Sequence, residues 1–147
     1  MMSSDDDRTS PQPLYTQPRL VLLVFAGGVL GTAAREAVVL LMASDGLPWG
    51  VLTVNLVGAF LLGMLVRGLE ARDETPRRRS VRLFAGAGML GGFTTYSALA
   101  TDALLLLETA PMLGVAFALV SVVAGVLCAA AGWAVAARLW PRHPESS

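Results

Sequence analysis

Four apolar runs, each long enough to cross a bilayer as a helix, decide what this chain can become. They extend from about Leu20 to Met42, Trp49 to Val66, Val81 to Leu107 and Met112 to Leu139. A hydrocarbon core takes roughly 20 residues of helix. A lipid-exposed backbone must satisfy its own hydrogen bonds, so helix is the default for each run. Four passes use up nearly all of the 147 residues, leaving no room for a separate soluble domain. Charge agrees: only 15% of the residues are charged, against about a quarter in a soluble domain. The expectation is an all-α membrane protein with four transmembrane helices over residues 19–140. Residues 1–18, acidic at Asp5–Asp7 and proline-bearing, read as a disordered tail, and 141–147 as a short C-terminal tail.

Every basic residue is an arginine, and their placement orients the spans. Arg8 and Arg19 precede the first span, and Arg138 and Arg142 follow the last. Arg67, Arg72, Arg77, Arg78, Arg79 and Arg82 surround the middle connection, whereas the other two connections carry none. All the arginines outside the spans therefore fall on one side, which predicts a multi-pass protein of the inner (plasma) membrane with both termini cytoplasmic. The Arg77–Arg79 run serves as a topological anchor or as a contact for anionic lipid or a partner. Net charge is formally zero, and no feature suggests nucleic acid. The single cysteine, Cys128, sits in an apolar run and reads as a small packed residue.

Polar residues at membrane depth are expensive and ask for an explanation. Asn55 lies near the middle of the second span, with Gly58, Ala59, Leu62 and Gly63 on its face. Its amide offers two donors and two acceptor sites, enough either to bind an anion or to bond a neighbouring helix. The third span carries Gly88-Met-Leu-Gly91-Gly92-Phe93-Thr94-Thr95-Tyr96-Ser97. Adjacent glycines lower the cost of unwinding, which predicts a helix broken near its middle at the glycine pair. Free carbonyls at such a break hold a cation, and a half-helix N-terminus attracts an anion. The other reading is a glycine-packed continuous helix whose hydroxyls bond carbonyls one turn earlier. The fourth span lines up Gly114, Ala118, Ser121, Gly125, Ala129, Gly132 and Ala136 on one face, suited to close packing, with Ser121 available to a ligand. In the first span Gly27, Gly28 and Gly31 read as packing. Arg35 and Glu36 lie towards its outer end, pointing different ways as sequence neighbours.

Three of these motifs together resemble the Fluc-type (CrcB-like) fluoride channels. Gly27, Gly28, Gly31 and Arg35 match that family's first-helix pattern. The run from Asn55 through Gly58 and Phe60 to Gly63 matches its second, and Gly88, Gly91, Gly92, Thr94, Thr95, Tyr96 and Ser97 match its third. The resemblance implies an antiparallel dimer of four-helix subunits that lets cytoplasmic fluoride leave passively, reducing its toxicity. Carried over, it implies that Asn55, Tyr96, Ser97, Ser121 and Arg35 belong to the fluoride pathway. It also implies a structural sodium ion at the dimer interface, held by the main-chain carbonyls of Gly91 and Thr94.

This chain departs from the family pattern in two places. Tyr96 and Leu99 stand where the family carries two phenylalanines, so one of two pores is expected to be altered in a homodimer. Glu36 stands where an aromatic residue is common. The one-sided arginines also predict a single orientation in the membrane, and hence a heterodimer with an inverted paralogous subunit. A small multidrug-type proton-coupled exporter is the competing function. It needs a deep carboxylate, for which Glu36 is the only candidate in this reading. No nucleophile–base or metal-ligand cluster suggests an enzyme.

Overall fold

A computed structural model describes residues 17–43, 46–70 and 75–141. The expectations for the acidic N-terminal tail, Arg8, Arg72, Arg142 and the C-terminal tail lie outside the described residues. Among them, four helical spans are long and apolar enough to cross a membrane. The first is α1 (Pro18–Leu41) and the second α2 (Trp49–Glu70). The third comprises α3 (Pro76–Val81), a π-helical stretch (Arg82–Leu90), a single turn α4 (Gly91–Phe93) and α5 (Tyr96–Thr109). The fourth is α6 (Pro111–Leu139).

Local chemistry explains where these elements begin. Proline stands in the first turn of α1, α3 and α6, where its fixed φ suits a helix and its missing N–H is not needed. Thr75 caps α3, its hydroxyl accepting from the Arg78 N–H at 3.3 Å. The second span runs a turn beyond Val66, and the third begins a turn before Val81. Hydropathy marks where hydrocarbon ends, and a helix continues past that boundary as long as its charged residues meet water.

The third span changes course, but not at the glycine pair. Gly91 is helical (φ −63°, ψ −36°), and the extended residues are Thr94 (φ −81°, ψ 154°) and Thr95 (φ −146°, ψ 115°). The glycines do a different job. A Cβ on Gly92 would stand 2.6 Å from the Gly28 carbonyl oxygen, so Gly92 lets the third span lie directly on α1. Extended geometry suits β-branched threonine better than helix does, and Asn55 supplies partners for the Thr95 backbone, as described below.

Close backbone contact recurs where a bundle in lipid needs it, since apolar side chains gain little by leaving hydrocarbon. α1 lies along the π-helical stretch and α4, α2 along α6, and α5 against α6. A Cβ on Gly88 would come within 2.6 Å of the Val24 carbonyl oxygen, and one on Gly132 would overlap the Phe60 carbonyl. Gly114, Ser121, Gly132 and Ala136 of the fourth-helix stripe are buried as the spacing predicts, whereas Gly125 faces open space. Arg67 is not a loop anchor. It is only 6% exposed, with its guanidinium 5.5 Å from the centre of the Trp133 ring. Its Nε and Nη1 are buried without an acceptor.

Candidate functional site

The site is built where the third span loses its helical bonds. Asn55, half-buried on α2, makes a two-point contact with Thr95. Its Nδ2 donates to the Thr95 carbonyl at 2.9 Å, and its Oδ1 accepts from the Thr95 N–H at 2.7 Å. Since one partner only accepts and the other only donates, they fix which way the amide faces. Both buried backbone groups are satisfied, where leaving each unmade would cost about 1–3 kcal/mol. Of the two readings left open for Asn55, the bond to the neighbouring span is the one seen, and Thr95 leaves the second amide hydrogen unused.

This contact rearranges the acceptors around it. In an unbroken helix the Gly91 carbonyl would take the N–H of Thr95 and the Thr94 carbonyl that of Ala98. Here the Thr95 N–H goes to Asn55, and the Ala98 N–H goes to the Thr95 hydroxyl at 3.2 Å as an N-cap. The two carbonyls lose their helical donors at the same interruption. The Gly92 carbonyl, also beyond its helical donor, is approached from α1 by Arg35 Nη1 at 3.4 Å and the Thr32 hydroxyl at 3.5 Å. The Thr94 hydroxyl bonds the Leu90 carbonyl one turn earlier at 3.0 Å.

Asn55, Gly91, Thr94, Thr95, Tyr96 and Leu99 line one cavity of about 350 Å³. Ser97 is not part of that lining and joins it only through Thr95, the two hydroxyls lying 3.3 Å apart. Tyr96 is 81% exposed on the open side. Two of the predicted site residues lie elsewhere. Ser121 is buried on α6, its hydroxyl donated to the Phe117 carbonyl at 2.6 Å. Arg35 sits on α1 and forms an ion pair with Glu36 at 3.2 Å. The sequence reading pointed these neighbours apart, but both side chains are long enough to curl together on the helix surface.

One residue was missed. Asp102, on α5 within the third span, has a carboxylate oxygen buried without a hydrogen-bond partner. Glu36 is therefore not the only carboxylate within a span, and Asp102 is the deeper one. The signal was an acid inside the run Ala98–Leu107, overshadowed by the glycine and hydroxyl pattern before it.

Comparison with known proteins bears on the whole chain. Residues 22–133 match the model of the family described as CrcB-like protein, Camphor Resistance (CrcB). The chain is 48% identical to "Fluoride-specific ion channel FluC 1" of Cutibacterium acnes over 84% of its own length and 87% of the relative's. It is 42% identical to "Fluoride-specific ion channel FluC 2" of Leifsonia xyli subsp. xyli over 95% and 99%. It is 41% identical to "Fluoride-specific ion channel FluC" of Rhizobium meliloti over 78% and 94%. With the motifs of three spans brought around one interruption and relatives alike over nearly their full length, the chain belongs to the CrcB-like family, a family of ion channels and not of enzymes.

Proposed function

We propose that this chain is one subunit of a fluoride-selective channel that lets cytoplasmic fluoride leave the cell passively and so reduces its toxicity. The observation that carries the reading is the Asn55 amide, held at two points by Thr95 with one N–H to spare, on the wall of the cavity at the interruption. Fluoride is small and tightly hydrated, so a pore must replace its water with dense donors. The spare Asn55 N–H, the Ser97 hydroxyl, and the Tyr96 hydroxyl and ring edge are of that kind. Arg35 contributes positive charge toward the outer end, partly offset by Glu36. Ser121 contributes only when its hydroxyl turns from Phe117.

The exposed side of Tyr96 calls for a cover, and an antiparallel second subunit would supply it. The carbonyls of Gly91 and Thr94, freed from helical bonds, are hard oxygen donors suited to sodium, which would neutralise carbonyl dipoles gathered at the dimer axis. The one-sided arginines favour cytoplasmic termini and a single orientation, which supports an inverted paralogue as the partner in the working channel. Fluoride efflux from liposomes, with this chain alone and with a paralogue, tests the reading. Efflux above that of empty vesicles is expected with the pair, and none from either preparation would overturn the assignment.

Asp102 is the one observation that favours a proton-coupled exporter of the small multidrug type. Family membership weighs against it. Fluoride efflux that persists without a proton gradient, with no uptake of a cationic dye, separates the two.

A further inference from the structure

The interruption of the third span is reached by α1 as well as by α2. In an unbroken helix the Gly92 carbonyl would take the N–H of Tyr96, but Thr94 and Thr95 are extended and Tyr96 begins a new helix. Two side chains of α1 stand in for that donor, the Thr32 hydroxyl at 3.5 Å and Arg35 Nη1 at 3.4 Å. Arg35 is held along its other edge. Its Nε and Nη2 both donate to one oxygen of Glu36, at 3.3 and 3.2 Å. Those two nitrogens share a side of the planar guanidinium, so fixing them fixes where Nη1 points. The Glu36 side chain is 57% exposed, and an exposed ion pair adds little stability. What Glu36 contributes is direction.

We propose that Glu36 is a positioning residue: it turns Arg35 onto the Gly92 carbonyl, so that α1 braces the interruption at Gly92 as α2 braces it at Thr95. Without Glu36 the guanidinium, on a long flexible stem, is free to swing out toward water. The Gly92 carbonyl then keeps only the longer contact with Thr32. The carbonyls of Gly91 and Thr94 belong to the same turn, and the brace at Gly92 fixes the direction in which they face. Glu36 therefore acts on the candidate site through Arg35, without touching it. All of the contacts lie within one chain, so the brace stands whatever covers the outer surface. Its bearing on conduction rests on the fluoride-channel reading.

The test reads the Gly92 carbonyl directly. Gly92–Phe93 is the one Gly–Phe pair in the sequence. Carbon-13 in glycine carbonyls with nitrogen-15 in phenylalanine therefore isolates it in solid-state NMR of the full chain in liposomes. A carbonyl that loses a hydrogen bond moves upfield. The signal is read in a Thr32→Val background, where Arg35 is the remaining side-chain donor, and Arg35→Leu gives the position of the unbraced carbonyl. Glu36→Leu is expected to move the signal most of the way to that position. Glu36→Gln, which keeps an oxygen for Nε and Nη2, should leave it near its parent. A signal that stays in place in Glu36→Leu would overturn the proposal, as would equal displacement by Glu36→Gln, which would trace the effect to charge or shape and not to the acceptor. Both variants lack the carboxylate charge, so their fluoride efflux isolates the brace. Efflux from Glu36→Leu should be about threefold or more below that from Glu36→Gln, the loss of one modest hydrogen bond, and equal efflux would overturn the link to conduction. The carbonyl signal does not depend on fluoride, so this inference and the proposed function fail separately.

Discussion

Asn55 is the residue on which structure and function meet. Its amide closes the backbone bonds that the interruption opens at Thr95, and the proposed fluoride pathway draws on the N–H that Thr95 does not use. Asn55→Asp keeps an acceptor for the Thr95 N–H, removes every donor and sets a negative charge on the wall of the cavity. Fluoride flux in liposomes is expected to fall to the empty-vesicle background, with dimer elution in gel filtration retained; undiminished flux would remove Asn55 from the pathway. Position, polarity and motif make Asn55 legible from sequence. Its partner is not, because the Thr95 backbone carries the same N–H and C=O as any other residue. Asp102 and Arg67 show the same limit. Their types are plain in the sequence, but burial of their unpartnered atoms depends on which helix lies opposite.

At the scale of the helix, small residues set how closely the spans approach. Gly88 and Gly125 look alike in sequence, each in an apolar run, yet a Cβ meets the Val24 carbonyl oxygen at 2.6 Å in one case and nothing within 4 Å in the other. Gly88→Ala should therefore push α1 from the third span and destabilise by about 1–3 kcal/mol, read as a lowered unfolding temperature in detergent. Gly125→Ala should stay within about 0.5 kcal/mol of wild type. Equal effects of the two would show that the α1 contact does not hold the bundle together. The third span carries the same lesson. Glycines signalled the break, and the threonines make it, because Gly91 and Gly92 are worth more as points of close approach and Thr95 gains a side-chain partner on α2.

For the whole molecule, charge on the connections and the open wall at Tyr96 bear on assembly. The one-sided arginines predict a single orientation, so tags on the two termini of the chain in membranes should be reached from one side only. Comparable populations on both sides would end the heterodimer proposal. The carbonyls of Gly91 and Thr94 predict a second dependence. Replacing sodium by N-methylglucamine should lower dimer stability in gel filtration, and an unchanged elution profile would remove sodium from the interface.

The number of spans, their limits to within about a turn, and the run of the third span that holds the interruption were determined by the sequence alone. These rest on one-dimensional quantities: the apolar length a bilayer demands and the cost of polar atoms inside it. The tertiary structure alone decided where the third span parts, which carbonyls lose their donors, that Arg35 pairs with Glu36, and that Arg67 is buried beneath Trp133. Each of these depends on what a neighbouring helix presents at hydrogen-bond distance, a relation between residues such as Asn55 and Thr95, 40 positions apart, that no local pattern encodes.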